Sequence, residues 1–518
     1  MAGTAPEDQE RLIREAVTRD PGQPRPQGTI PYWLHRLHPL AAHHSPSLPS
    51  SADVVIIGSG ITGLSVARTV LASNPSLHVA VLEARTLCSG ATGRNGGHLV
   101  AYGGASYTEL KQSYGQPMAT KIIEFTFRSI DRTRALIESL GEAGDAAEFR
   151  TVSRIRTFSD QPSFDEAQAS IAEFVSDNPQ YKGMYTIFND PQTLREKYDV
   201  HGVVGAVVFD AAALWPYRLV MAGWEDLLKS YPTRLSIEAQ TAVSHVTYTP
   251  LVNSSAPYAL TTTRGEMRAR QVVYCTNGYT GNLIPGIRGA LYPYRGTMTV
   301  QDLGNDEDLP NRGAERSWSI HQQHVPDKHD TEVISSVHYL QQNASSGHYF
   351  FGGGKYDPVQ VITGDDTSVP ESGVKYLQEQ LSHFLGQNSM QSNKLVSSWT
   401  GIMGFTSDDN PLVGRLTPSI TSRNGDGEWM AAGFNGMGMS LCVASGEALA
   451  HLMLGQNADD WFPAAFSLSE LRLRNTLNTE KSVQGVKHLY EGSCKQALNE
   501  DQHTSRPQEV LASTLMAQ

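Results

Sequence analysis

The sequence has little of what marks a secreted, membrane-spanning or nucleic-acid-binding protein. Its 518 residues include four cysteines, Cys88, Cys275, Cys442 and Cys494, far apart and without a C-x-x-C pair. That spacing builds neither a disulfide framework nor a zinc site. Basic residues are outnumbered, 41 Lys and Arg against 53 Asp and Glu, for a formal net charge of −12 at pH 7. This argues against nucleic acid as a partner, because a phosphate backbone requires a basic footprint. There is no block of like charge, no internal repeat and no apolar run long enough to cross a bilayer, so no membrane is expected as a partner. The opening MAGTAPEDQERLIREAV is polar, without the apolar stretch of a secretory signal, and Leu515 to Gln518 do not form a peroxisomal address. The sequons at Asn253 and Asn343 carry weight only in a secreted chain. The expectation is a cytoplasmic protein with reduced thiols.

What is present is glycine, 46 residues of it, concentrated in a few places. With 39% hydrophobic and 18% charged residues the composition is that of a globular protein. Single cores stop growing at roughly 250–300 residues, so more than one core is expected. Residues 1–51 hold eight of the 27 prolines and read as an extended arm after one short helix near Glu10 to Val17, with His43 and His44 solvated. At Ala52 the texture changes. Val54 to Gly58 is a short apolar run, as a buried parallel strand requires. ITGLSVARTVLAS has helical spacing, and His78 to Ala84 reads as a second buried strand, which makes a β-α-β unit. QPMATKIIEFTFRSIDRTRALIESLG reads as a long helix closed by Gly141, and residues 216–230 as another. Between about Leu291 and Gly354 a second, largely antiparallel sheet is expected. EWMAAGFNGMGMSLCVASGEALAHLMLG then reads as strand, glycine turn and apolar helix, followed by a helical, polar tail from about Trp461.

The turn Gly58-Ser59-Gly60-Ile61-Thr62-Gly63 lies between strand and helix. Gly58 permits the tight turn, Gly60 lets backbone approach a pyrophosphate at the helix N-terminus, and Gly63 allows close helix–strand packing. Glu83, at the end of the second strand, is placed to take ribose hydroxyls. Together these indicate a bound dinucleotide. The loop LCSGATGRNGGHL follows directly. A nicotinamide dinucleotide has no use for a second glycine-dense loop there, whereas a flavin continues past the second strand and needs backbone to close over it. FAD is therefore the expected cofactor. The run Gly433-Phe434-Asn435-Gly436-Met437-Gly438-Met439 points the same way, since a helix starting there can aim N–H groups at the electron-rich end of a flavin ring.

The stretches DVVIIGSGITGLSVA with LEA, SGATGRNGGHL, VVYCTNGYTG, PYRGTM, WTGIMGFTSDDNPLVG and AAGFNGMGMSLCVASGEALA resemble, in this order, the D-amino-acid oxidase/sarcosine oxidase (DAO) family of FAD-dependent amine oxidoreductases. Within it the chain is most similar to the gamma-glutamylputrescine oxidase type. The resemblance implies an α/β protein: a discontinuous Rossmann-like FAD domain over 52–104, 211–290 and 394–456, and an inserted α+β substrate domain over 105–210 and 291–393 with a mainly antiparallel sheet. The arm, 1–51, and a helical extension, 457–518, lie outside it. By family position Gly58, Ser59, Gly60, Ile61, Thr62, Gly63, Glu83, Ala84 and Arg85 hold the ADP portion. Thr92, Arg94, Asn95, Gly96, Gly97 and His98 border the flavin, and Val243 meets the adenine side. Thr276 and Asn277 lie near the dinucleotide. Gly401, Gly433, Asn435, Gly436, Met437, Gly438 and Met439 lie near the pyrimidine end of the ring.

The resemblance also has gaps. No cysteine lies between Trp399 and Pro411, where covalently flavinylated relatives carry one, so the expectation is non-covalent FAD. Ser440 stands where a carboxylate-binding lysine is found in sarcosine oxidases, and Phe350 where the oxygen-activating lysine is found, with Lys355 nearby. The expected reaction is oxidation of a C–N bond in a small-molecule amine or amino-acid derivative, by hydride transfer to flavin with O2 as acceptor. Oxidation or desaturation of a larger metabolite, and a catalytically silent flavin-binding protein, are alternatives. His98, which titrates near neutrality, is the candidate catalytic residue: it orients or deprotonates the amine, or only hydrogen-bonds the flavin or backbone. No metal site is expected.

Overall fold

The computed structural model describes residues 6–250, 255–304, 310–323, 332–386 and 393–491. Cys494, the sequon at Asn253 and Leu515 to Gln518 lie outside them. The run Val54–Ile57 is apolar because both faces of its strand are covered. Strand Ser51–Ile57 pairs in parallel with Val79–Leu82 on one side and Gly265–Tyr274 on the other, so that Val55 faces Ala80 and Val272. Leu235–Glu238 and Glu428–Ala432 continue the parallel sheet outward. Leu412–Arg415, Tyr258–Thr262 and Val243–Tyr248 add antiparallel pairs and complete eight strands. Alternate residues sort to opposite cores. Val54 and Ile56 pack with Leu64 and Leu449 of the helices Ile61–Ser73 and Gly438–Met453, while Val55 and Ile57 pack with Leu82 and Tyr274.

Among the described residues the second sheet has nine strands and is antiparallel except where Arg316–His321 runs parallel to Arg150–Phe158. Its longest pair lies at one edge, where Leu291–Asp302 and Lys394–Thr406 match Leu291 to Thr406 at one end and Asp302 to Lys394 at the other. The fold is thus the mixed α/β arrangement expected, but two segments sit differently from the expected domain limits. Lys394–Thr406 was assigned by its motif to the cofactor domain, and its hydrogen bonds place it in the second sheet. Gly205–Ala213, which pairs along Arg150–Phe158, runs across the expected limit at 210/211 as one unbroken strand of the same sheet.

The N-terminal arm departs most from expectation. Its helix, Pro6–Thr18, docks on the tail helix Thr479–Glu491, where Ile13 and Val17 share a core with Val483, Val486, Tyr292 and Tyr294. Lys487 pairs with Glu10 at 2.8 Å. Beyond this helix, proline keeps the arm out of long regular structure but not out of the interior. Trp33, Leu34 and Ala41 are buried, and Trp33 stacks on Phe350 with centroids 4.2 Å apart. His44 is exposed and His43 half-buried. The tail is amphipathic rather than simply polar, since Phe462, Phe466, Leu477 and Leu489 are buried.

Candidate functional site

The C-terminal ends of Ser51–Ile57 and Val79–Leu82 open into a long cavity that reaches the second sheet. Residues singled out in the sequence meet there. Gly58, Ser59, Gly60, Ile61 and Thr62 line it, as do Glu83, Ala84, Arg85, Thr92, Arg94, Asn95, Gly96 and His98. Val243, Thr276, Asn277, Gly401, Gly436, Met437, Gly438 and Met439 complete this set. Gly63, Gly97, Gly433 and Asn435 do not line it; they hold the walls. A Cβ on Gly63 would stand 2.1 Å from the Gly58 carbonyl oxygen, and one on Gly97 2.4 Å from Gln341 Nε2. Gly433 N–H donates to Asn277 Oδ1 at 3.0 Å, and Asn435 Oδ1 accepts from Thr406 N–H at 2.8 Å.

The glycine turn fits a dinucleotide. Gly58 has φ of +111°, and a Cβ there would be 2.5 Å from the Cys275 carbonyl oxygen, so neither conformation nor space admits a side chain. The helix Ile61–Ser73 begins at Gly60, which has no side chain to cap it; Ile61 N–H donates to Thr92 Oγ1 at 3.2 Å, and the following first-turn N–H groups are left for an anion. Glu83 is held by the turn it follows: Oε2 accepts from Ser59 N–H and Oγ–H at 3.1 and 2.7 Å, and Oε1 from Arg85 N–H at 3.0 Å. Oε2 thus has two donors already, while Oε1 keeps accepting capacity for a hydroxyl. The helix Gly438–Met453 also starts without a side-chain cap, at the other end of the cavity.

Between these ends lie charges the sequence reading had not connected. Arg85 Nη1 donates to Asp366 Oδ2 at 2.8 Å, and Arg94 Nε stands 3.5 Å from the same oxygen. Burial opposes the Arg85 charge, but Asp366 and Tyr279 outweigh it and raise its pKa. Burial dominates at Arg94, which falls to about 10 despite Asp366. Arg85 Nε, the Tyr279 hydroxyl and Asp366 Oδ1 are buried without partners. Two guanidiniums against one carboxylate, with donors to spare, suit a diphosphate.

At the second-sheet end, His98 sits on the two-residue strand His98–Leu99, paired with Ala213 and Ala212. Its Nε2 lies 3.2 Å from the Leu340 carbonyl oxygen, which fits an Nε2–H tautomer. Burial, then the nearby Arg154, hold the ring far below its ordinary pKa, so it is neutral at pH 7. The aromatic lining is Tyr279, Tyr339 and Phe434. Trp215, Tyr217, Tyr292, Tyr294, Trp318, Tyr349 and Trp399 do not line the cavity. Gly22, Gln23 and Pro24 of the arm do, and so do Cys275 and Cys442. Burial pushes both thiols up, Cys442 to about 12, so neither is a thiolate at neutral pH. Lys355 instead pairs with Glu332 at 3.3 Å, and among the described residues no lysine lines the cavity. Among the described residues no cluster of His, Cys, Asp and Glu is arranged to hold a metal ion, and no helix is long and apolar enough to cross a membrane.

A family profile described as DAO, FAD dependent oxidoreductase, matches residues 53–452. The chain belongs to this family. The arm and tail lie outside the match, while every lining residue except Gly22, Gln23 and Pro24 lies inside it. The DAO chain is 23% identical to gamma-glutamylputrescine oxidoreductase of Escherichia coli (strain K12) over 410 residues, 78% of this chain and 84% of that protein. Its fold is similar to glycine oxidase from Geobacillus kaustophilus, with a TM-score of 0.61 and 18% identity over 81% of this chain and 99% of the other. It is also similar to L-proline dehydrogenase from P. horikoshii, with a TM-score of 0.58 and 18% identity over 81% and 97%. The protein is an FAD-dependent oxidoreductase.

Proposed function

We propose that this enzyme oxidises a C–N bond of an amine or amino-acid derivative to an imine, with O2 as the electron acceptor. The observation that carries the reading is the continuity of one cavity, from the glycine turn to a chamber walled by His98, Tyr339, Met298 and Gly401. Arg85, Arg94, Glu83 and the uncapped start of Ile61–Ser73 would hold the ADP half of FAD. The start of Gly438–Met453 would face the ring. The bound cofactor supplies a two-electron acceptor for the hydride on the carbon next to nitrogen. Arg154, which lines the same chamber, disfavours a second positive charge there, so the amine binds neutral and its ammonium proton stays in solvent. His98, neutral and tied to Leu340, orients rather than deprotonates. The imine then takes up water to give a carbonyl compound and an amine, and O2 leaves as hydrogen peroxide. FAD is read as held without a covalent link, since no cysteine lies between Trp399 and Pro411.

The test is the visible spectrum of the purified protein, recorded anaerobically with pools of amines and amino acids. Bleaching of the flavin by one pool, with colour restored on admitting air, is the expected result. A flavin that no pool reduces would move the assignment to a larger metabolite or a silent flavoprotein. A protein that cannot be loaded with FAD would overturn the reading altogether.

A further inference from the structure

Four consecutive carbonyls of the loop after the second strand are bound from behind. Trp399 Nε1–H donates to the Arg94 carbonyl at 2.7 Å, and Trp33 Nε1–H to the Asn95 carbonyl at 2.6 Å. Gln341 Nε2 donates to the Gly96 carbonyl, and Leu214 N–H to that of Gly97 at 2.9 Å. Trp33, Trp399, Gln341 and Leu214 do not line the cavity, whereas Arg94, Asn95 and Gly96 do. A trans peptide sets the carbonyl of one residue and the N–H of the next on opposite sides of the chain, and among the described residues no peptide bond is cis. With the Arg94 and Asn95 carbonyls turned away from the cavity, the N–H groups of Asn95 and Gly96 are turned toward it. The flanking donors are occupied: Arg94 N–H by the Ala91 carbonyl at 3.1 Å, Gly97 N–H by Asn95 Oδ1 at 2.8 Å. Among the described residues the two between them, Asn95 N–H and Gly96 N–H, have no acceptor. Buried backbone donors are rarely left so, and Gly96 is buried.

Trp33 stands apart in this set because it comes from the arm, outside the family match. It is held firmly. Its ring stacks on Phe350 and meets the edge of Trp215 at 5.0 Å, and its own carbonyl accepts from Trp215 Nε1–H at 3.1 Å. It also covers the back of the loop, since a Cβ on Gly97 would stand 3.0 Å from Trp33 Cζ2. Leu34, next along the arm, reaches Gly93 in the same way, with Cδ1 2.9 Å from where a Cβ would be. Burial alone does not impose an indole bond in this protein: the Nε1–H groups of Trp318 and Trp429 are buried without partners. Two indoles on successive carbonyls of one loop are therefore a specific arrangement, and what they fix is the direction of the two N–H groups on its cavity side.

We propose that Trp33 is a positioning residue of the active site: with Trp399 it holds the loop backbone so that the N–H groups of Asn95 and Gly96 donate to electron-rich atoms of the flavin ring. This rests on the placement of the ring in the reading above and is independent of the substrate. Fixed donors aimed at a group that gains electrons favour its reduced form. The arm thus reaches the reacting end of the cavity through Trp33 and makes the bound cofactor easier to reduce. An indole suits the task because its N–H is its single donor and its flat body can be locked by stacking.

The test uses the full-length protein loaded with FAD and needs no turnover. The midpoint potential of the bound flavin is measured by anaerobic reduction beside a reference dye. Trp33→Phe keeps a ring against Phe350 and removes the N–H. Its FAD is expected to have an equilibrium constant for two-electron reduction at least tenfold lower, a shift of about 30 mV to more negative potential. Trp399→Phe is expected to shift it the same way. Trp429→Phe, at an indole whose N–H binds nothing, is expected to leave it unchanged. A Trp33→Phe protein with the unaltered potential would reduce Trp33 to packing and overturn the assignment, and so would an equal shift in Trp429→Phe. If Trp33→Phe does not fold or hold FAD, amide exchange of the unaltered protein decides: adding FAD is expected to slow exchange at Asn95 and Gly96, and exchange as fast as in the apoprotein would overturn the assignment. The two readings fail separately. A flavin that no amine reduces can still show the shift, and one that amines reduce equally well without the Trp33 indole, at an unshifted potential, keeps the chemistry and loses this role.

Discussion

Single residues in this molecule are set by burial more than by their neighbours in sequence. His98 is recognisable as a residue beside the flavin loop, but its protonation state is not, because that depends first on burial and then on Arg154, 56 positions away. A ring already neutral contributes no limb to a pH profile near neutrality. The rise of kcat/KM with pH should therefore follow the ammonium pKa of each substrate and shift when a substrate of different pKa is used. A limb fixed near pH 6.5 for every substrate would restore His98 as a base. His338 allows a cleaner stability test. Burial lowers it to about 4, its Nε2 has no partner, and it lies against Phe351 and Tyr376. Below its unfolded value of about 6.5 the unfolded chain binds a proton that the native chain does not, so stability falls as pH drops from 6.5 toward 4. Between pH 7 and pH 5 the wild type should lose about 2 kcal/mol more than His338→Phe, as read from urea midpoints. Parallel loss in both proteins would remove His338 from the account.

At the level of elements, legibility followed periodicity. The helix Ile61–Ser73 and the strands around it could be read because apolar runs and glycine turns are local signals. The four glycine and asparagine positions that brace the walls rather than line them could not be told apart, since lining and bracing call for the same residues. Strand Lys394–Thr406 reads as cofactor domain by its motif, which touches the cavity through Gly401 and Met403, while its backbone pairs in the second sheet. Arg154 was missed because nothing in RTVSRIRTF says which side of the strand faces a cavity. Asp366, which was also missed, is a junction of elements: it binds Arg85 and sits beside Arg94, and its carbonyl accepts from Thr29 N–H at 2.7 Å. Asp366→Asn should cost roughly 3–5 kcal/mol in the apoprotein, the usual loss when one partner of a buried ion pair is removed. With FAD bound the loss should be smaller, because the diphosphate offers Arg85 and Arg94 another negative charge. Thermal melts with and without FAD measure the difference, and an equal loss in both would place the diphosphate elsewhere.

For the whole molecule, the unexpected feature is that the two chain segments outside the family match pack on one another, and that the arm goes on from there to line the cofactor cavity. The helix Pro6–Thr18 is locked on Thr479–Glu491 by apolar side chains as well as by ion pairs, which matters because exposed ion pairs alone contribute little. From that anchorage the arm runs as a strap. Asp20 pairs with Arg288 at 2.6 Å, Gln23 Nε2 donates to the Val243 carbonyl at 3.2 Å, and Arg25 offers its carbonyl to Arg85 Nη1 at 3.3 Å. Thr29 Oγ1 accepts from Thr400 N–H at 3.0 Å. Gly22, Gln23 and Pro24 thereby form wall on the same side as Val243 and Arg85, where the ADP half of the cofactor is expected. An arm so placed covers part of that end of the cavity, and proline suits the task because a chain with fewer unfolded conformations loses less entropy when it lies down. Removal of residues 1–31, which spares the Trp33 stack, should weaken FAD binding at least tenfold while the FAD-saturated protein still reduces with the same substrates. Flavin fluorescence in ultrafiltrates at increasing dilution gives the affinity. A truncated protein that keeps its flavin as firmly as the full chain would show that the strap is packing alone, and one that takes up FAD but no longer reduces would move its role to the substrate end.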